Sequence, residues 1–91
     1  MQEFFTKEQS KVVGEFLGVD WDKFDVDQFW KGMHVELEHG TRNKRTNVTD
    51  DDKIITGKIA LAHLNEFPDY YDRLEKMEKE ADAFWGKEKQ L

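Results

Sequence analysis

Residues 49–71 read TDDDKIITGKIALAHLNEFPDYY, and this stretch decides the fold. It opens with a hydroxyl cap and three acids, which suit the positive end of a helix dipole. Apolar residues then fall on nearly every side of a helical wheel. Ile55, Ile59 and Ala62 form one strip, Ile54 and Leu61 a second, and Ala60 and Leu64 a third. A helix that is apolar all round belongs inside a bundle, here with Lys58 and Asn65 on its thin wet edge. Phe67-Pro68 ends the pattern, because the residue before proline avoids helical backbone and proline suits a helix's first turn. The stretch predicts a central helix over about residues 50–66 and another beginning near residue 69.

Downstream, Tyr70, Leu74, Met77, Ala81 and Phe84 make a heptad-like stripe with charged residues away from it, so the last helix should cover about 69–85. The tail Gly86–Leu91 is expected to fray. Upstream, Gly40 to Thr49 reads as a polar loop. Before it, Val26, Trp30, Met33 and Leu37 recur at helical spacing between a start signal at Asp25 and a stop at Gly40, predicting a helix over 26–39. Thr6-Lys7-Glu8-Gln9 has the capping-box form, and Val12, Val13, Phe16 and Leu17 follow before Gly18, predicting a helix over 7–17. The link from Val19 to Phe24 carries Trp21 and Phe24, which should fold back onto the core. No stretch alternates as a strand would. The expected class is all-α: one compact four-helix domain over residues 1–91, with its third helix at the centre.

Composition limits the function. Ninety-one residues suffice for one core. The absence of cysteine removes disulfides, thiolate metal sites and a cysteine nucleophile. A net charge of −6 disfavours nucleic acid and anionic membrane as partners, since both call for a positive surface. The longest apolar runs are too short to span a bilayer. Met1 to Glu8 shows no basic region followed by an apolar one, so no signal peptide is expected and the cytoplasm is the default location.

Val35-Glu36-Leu37-Glu38-His39-Gly40, Asn47-Val48-Thr49 and the run from Thr56 through Tyr71 to Leu74 and Met77 carry a resemblance, joined by Leu17-Gly18-Val19-Asp20-Trp21. On these residues the chain resembles a family of small proteins from bacteria, archaea and their viruses, catalogued as a domain of unknown function. The resemblance covers nearly the whole chain. It implies relatives and supplies no activity, substrate or cofactor.

Two motifs carry candidate chemistry. Glu36-Leu37-Glu38-His39 and His63-Leu64-Asn65-Glu66 each set a carboxylate and an imidazole three residues apart, as neighbours on one helical face. One reading is a divalent metal held by Glu36, His39, His63 and Glu66, since bundles build di-iron sites from Glu and Glu-x-x-His. The second element has the reverse order, and only one Glu-x-x-His is present. The other reading is two separate helix-end pins, with His39 at the carbonyl end of its helix and Glu66 bonded by a tyrosine or an amide near the 66–70 turn. Glu66 falls on the core-facing strip and should be paired. In an antiparallel hairpin His39 and His63 would lie roughly 20 Å apart, so the course of the Gly40–Thr49 loop decides between the readings.

The remaining candidates read as structure. Asp50-Asp51-Asp52 lacks the alternating acids, glycine and closing Glu of a calcium loop, and fits helix capping. Arg42, Lys44 and Arg45 form the one basic patch, able to meet a phosphate or an acidic partner, but with acids close by. Tyr70, Tyr71 and Trp30 at helical spacing read as core, whereas Trp85, near a chain end, could cover the core or meet another subunit. His34 and Ser10 read as surface residues. The composite expectation is a non-enzymatic protein that acts through a protein partner or self-association, with no cofactor. The alternative is the Glu/His metal site. A third reading is an acidic competitor that regulates a nucleic-acid process.

Overall fold

A computed structural model of the chain describes residues 4–86. They form four helices, α1 (Lys7–Leu17), α2 (Val26–Glu36), α3 (Lys53–Glu66) and α4 (Tyr70–Trp85), with 3-10 turns at Leu37–His39 and Lys44–Thr46. The fold is all-α, and among the described residues there is no strand. Gly86 caps α4, while the rest of the tail expected to fray, residues 87–91, lies outside the described residues. Residues 1–3, at the start of the stretch read for a signal peptide, do so too.

Local chemistry sets most boundaries where the sequence puts them. The Thr6 hydroxyl accepts from the Gln9 amide, and the Gln9 side chain accepts from the Thr6 amide, completing the capping box. Gly18, at φ 79°, ends α1 in the left-handed conformation that glycine adopts without a Cβ penalty. The Asp25 carboxylate caps α2. Phe67 is extended ahead of Pro68, which closes α3 at Glu66.

Two boundaries differ. The α-helical part of α2 ends at Glu36, and residues 37–39 tighten into the 3-10 turn. At the start of α3 the cap is Asp52, not Thr49: its carboxylate accepts the amides of Ile54 and Ile55, each at 2.9 Å. Asp50 and Asp51 precede the helix at φ 53° and 61°, a left-handed region that aspartate tolerates better than most residues. Thr49 is buried behind them.

The core is shared between two helices. Phe29 and Met33 of α2 and Ala60 and Leu64 of α3 are completely enclosed, joined by Phe5, Val13, Val19, Phe24, Leu37 and Tyr71. Both α2 and α3 pack against α1 and α4, so the third helix is not alone at the centre. Its buried face is Thr56, Gly57, Ala60 and Leu64, while Ile55 and Ala62 are exposed. Small residues win that face because neighbours come so close: a Cβ on Gly57 would lie 2.6 Å from Val13 Cγ1. On α1 the same correction applies. Ser10, Val13 and Gly14 face inward, Leu17 is half-buried, and Val12 and Phe16 face outward. Trp21 and Phe24 fold back onto the core as expected.

The Gly40–Thr49 loop closes on its own base. The His39 carbonyl accepts from the amides of Val48 and Thr49, and the Asp51 carboxylate holds the Thr41 amide and hydroxyl. The pairing of α2 with α3 nevertheless ascends in both: Phe29 lies beside Gly57, and Glu36 beside His63. An antiparallel hairpin would reverse that order. The two helices run side by side in the same direction instead, which brings their C-terminal turns together.

Candidate functional site

Glu36, on the last turn of α2, is only 2% exposed. Its Oε2 accepts a hydrogen bond of 2.6 Å from the Tyr71 hydroxyl and lies 2.7 Å from His63 Nδ1. Nδ1 is also 3.1 Å from the tyrosine oxygen. A carboxylate only accepts, so this contact puts a proton on Nδ1. One buried oxygen thus joins α2, α3 and α4. Burial, followed by the bond to Glu36, holds the Tyr71 hydroxyl well above the usual tyrosine range, so it remains a donor.

The junction forms because Gly32, one turn before Glu36, has no side chain. A Cβ there would collide with the Tyr71 ring. The ring lies across the glycine and delivers its hydroxyl to the carboxylate one turn on. His63 is held by stacking: its ring lies 4.5 Å from that of Tyr70 with an interplanar angle of 2°, and Phe67 stacks on Tyr70 from beyond. Lys31 ties the same faces from outside, bonding Asp72 at 3.0 Å and Glu75 at 2.6 Å. Those contacts hold both carboxyls below their ordinary range.

Of the four residues read as metal ligands, three come together. Glu36 and His63 bond directly, and His39 Nε2 sits 3.7 Å from the other Glu36 oxygen and 3.5 Å from Glu38. Glu66 does not join them. It is exposed, so the expectation of a core-facing Glu66 bonded by a tyrosine or an amide is corrected in its placement, and the Tyr71 hydroxyl bonds Glu36. α3 turns Thr56, Gly57, Ala60 and Leu64 inward, which leaves Ile55, Ala62 and Glu66 on the outside. Among the described residues, no group of three or more His, Cys, Asp or Glu side chains is arranged to hold a metal ion.

Two further placements escape a reading by helical wheel. His34 is half-buried: its Nε2 lies 3.2 Å from the Phe5 amide and 2.9 Å from the Phe5 carbonyl, to which Trp30 Nε1 also donates at 2.8 Å. The chain before α1 lies back over α2, a long-range contact with no local signal. Ser10 is wholly buried against the same core.

Beyond its anchored first turn, α4 is open. Tyr71 is buried and Leu74 partly so, but Met77, Phe84 and Trp85 are 55%, 78% and 75% exposed. No helix among the described residues is long and apolar enough to cross a membrane.

These features define a small all-α protein whose helices are locked by a buried Glu–His–Tyr junction and whose last helix carries exposed apolar side chains. Residues 10–80 match DUF5661, a family described as a protein of unknown function, and the chain belongs to that family. The matched span contains the whole junction and ends before Phe84 and Trp85. No curated protein and no solved structure matches the chain.

Proposed function

We propose that the protein is a non-enzymatic interaction module and that the distal half of α4 takes up a second copy of this chain. The exposure of Met77, Phe84 and Trp85 carries the reading. Apolar side chains at alternating three- and four-residue spacing suit pairing with another helix at 3.5 residues per turn, and beyond Tyr70 and Leu74, which pack on the bundle, the stripe is exposed. Identical surfaces meet by a two-fold axis and close at the dimer. In an antiparallel arrangement Met77 of each copy faces Ala81 of the other, and Phe84 reaches toward Leu74. Large side chains then meet small ones at the centre of the contact. The root of α4 supports such docking, because Tyr71 and Lys31 hold it to the bundle.

Sedimentation velocity over a wide concentration range tests the proposal. The wild type should shift from monomer to dimer as concentration rises, and Met77→Glu should remain monomeric and melt like the wild type at concentrations where the latter is a monomer. A wild type that stays monomeric at the highest concentration reached overturns it.

A further inference from the structure

The second feature that the fold leaves unused is the loop between α2 and α3. From His39 to Thr49 it contains Arg42, Lys44 and Arg45 and no acid, in a chain whose net charge is −6. Among the described residues none of these three cations makes an ion pair. The loop is nonetheless shaped. Its base is closed by the His39 carbonyl and by Asp51, and within it Asn43 Oδ1 accepts the Arg45 amide at 3.0 Å.

This shaping opens a hollow of about 270 Å³ lined by Glu38, His39, Arg42, Asn43 and Thr46. Its walls are rich in donors. Arg42 offers a guanidinium fork and His39 a ring nitrogen, and the Thr46 hydroxyl, whose bond to the Asn43 carbonyl is long at 3.5 Å, can turn from it to an anion. Because the oxygen of Asn43 is already engaged, its NH₂ remains as a donor. Glu38 is the one carboxylate in the wall, and it lies 3.5 Å from His39 Nε2, which gives it a local partner. The volume falls below the roughly 300–1,000 Å³ of sites for drug-sized ligands, so a single small group fits best.

We propose that this hollow binds a phosphoryl group, free or as the terminal phosphate of a small phosphomonoester. Tetrahedral phosphate presents several acceptor oxygens to a wall of convergent donors, and the arginine fork matches two of them. The guanidinium dominates this recognition, while Asn43 and Thr46 orient the anion. The acidic remainder of the chain and Glu38 oppose binding, which sets the affinity in the range of about 1 mM rather than micromolar and makes it sensitive to salt.

The test is an amide ¹H–¹⁵N titration of the full chain with potassium phosphate, against potassium chloride at matched ionic strength, and a parallel titration with phenyl phosphate. Saturable shifts confined to residues 38–46 are expected. Tighter binding of phenyl phosphate identifies an ester as the ligand type, and equal binding identifies the free anion; both support the site. Arg42→Gln should weaken binding about tenfold or more. Arg42→Lys, which keeps charge but loses the fork, should fall between, and Lys58→Gln on α3 should change nothing. Arg42 is exposed, so its variants should melt like the wild type. Shifts that fail to saturate, that chloride reproduces, or that survive Arg42→Gln unchanged overturn the proposal.

Discussion

The Tyr71 hydroxyl and the Glu36 carboxylate, 35 positions apart in the chain, meet at 2.6 Å inside the protein. Removing the donor with Tyr71→Phe leaves the buried carboxylate dependent on His63 and should cost about 1–3 kcal/mol at neutral pH. The same bond sets an alkaline limb. The folded-state value lies above the ordinary 10.0 of tyrosine, so the hydroxyl's contribution is complete below pH 10 and is lost as pH rises toward the folded value. Urea melts between pH 8 and 11 should show wild-type stability falling through this window, and Tyr71→Phe should flatten the fall. Tyr70, raised by burial and then by Glu36 and Glu66, retains a smaller slope in the variant.

Gly32 should behave as part of the same junction. Gly32→Ala forces the Tyr71 ring aside, and that ring is fully enclosed with no free end to swing. Overpacking of this kind costs about 1–3 kcal/mol. Displacing the ring also breaks its bond to Glu36, so Gly32→Ala and Tyr71→Phe should combine to less than the sum of their separate effects. Thermal melts of the two single variants and the double variant check this. Strict additivity would show that the glycine and the hydroxyl act independently.

These two residues also show how much of the molecule was legible in its sequence. The helices were readable because caps, breakers and apolar spacing are local: Thr6, Gly18, Asp25 and Pro68 each act within a few residues. Glu36 and His63 stood out for the same reason, as did the loop whose course would decide whether they meet. Their partner Tyr71 did not, since a tyrosine at helical spacing looks like any core aromatic until its hydroxyl has an acceptor. Glu66 was misplaced because a wheel ranks faces by apolarity, whereas the close approach of α1 and α2 to α3 selects the face that carries the small residues Gly57 and Ala60. Hydrophobicity marks a helix as buried; shape decides which side.

Asp51 gives an acid limb of the opposite sign. Bonds from the Thr41 hydroxyl and then the Thr41 amide hold its carboxyl below the ordinary 3.8, with Arg42 adding to the effect. A depressed folded-state value means that the contribution is present above the unfolded value and is lost as pH falls through the folded one. Asp51→Asn, which replaces one accepting oxygen with a donor, should therefore cost about 1 kcal/mol at pH 7. The difference from wild type should shrink as pH falls through the folded value, because the wild-type carboxyl is then protonated as well. Urea melts from pH 7 down into the acid range measure it. An equal loss throughout would mean that the charge of Asp51 has no part in closing the loop.

The proposed α4 dimer carries its own electrostatic signature. With Met77 opposite Ala81 of the other copy, Glu80 flanks the apolar seam and lies beside Glu80 of its partner. Like charges across a seam oppose pairing, and salt screens them over a Debye length of about 8 Å at physiological ionic strength. The dimer should therefore tighten as sodium chloride rises from low to moderate concentration, the reverse of an association held by ion pairs. Glu80→Gln should tighten it at low salt and remove most of the salt response. Sedimentation equilibrium at several salt concentrations reads both effects, and a dimer that weakens with salt would place the contact on some other surface.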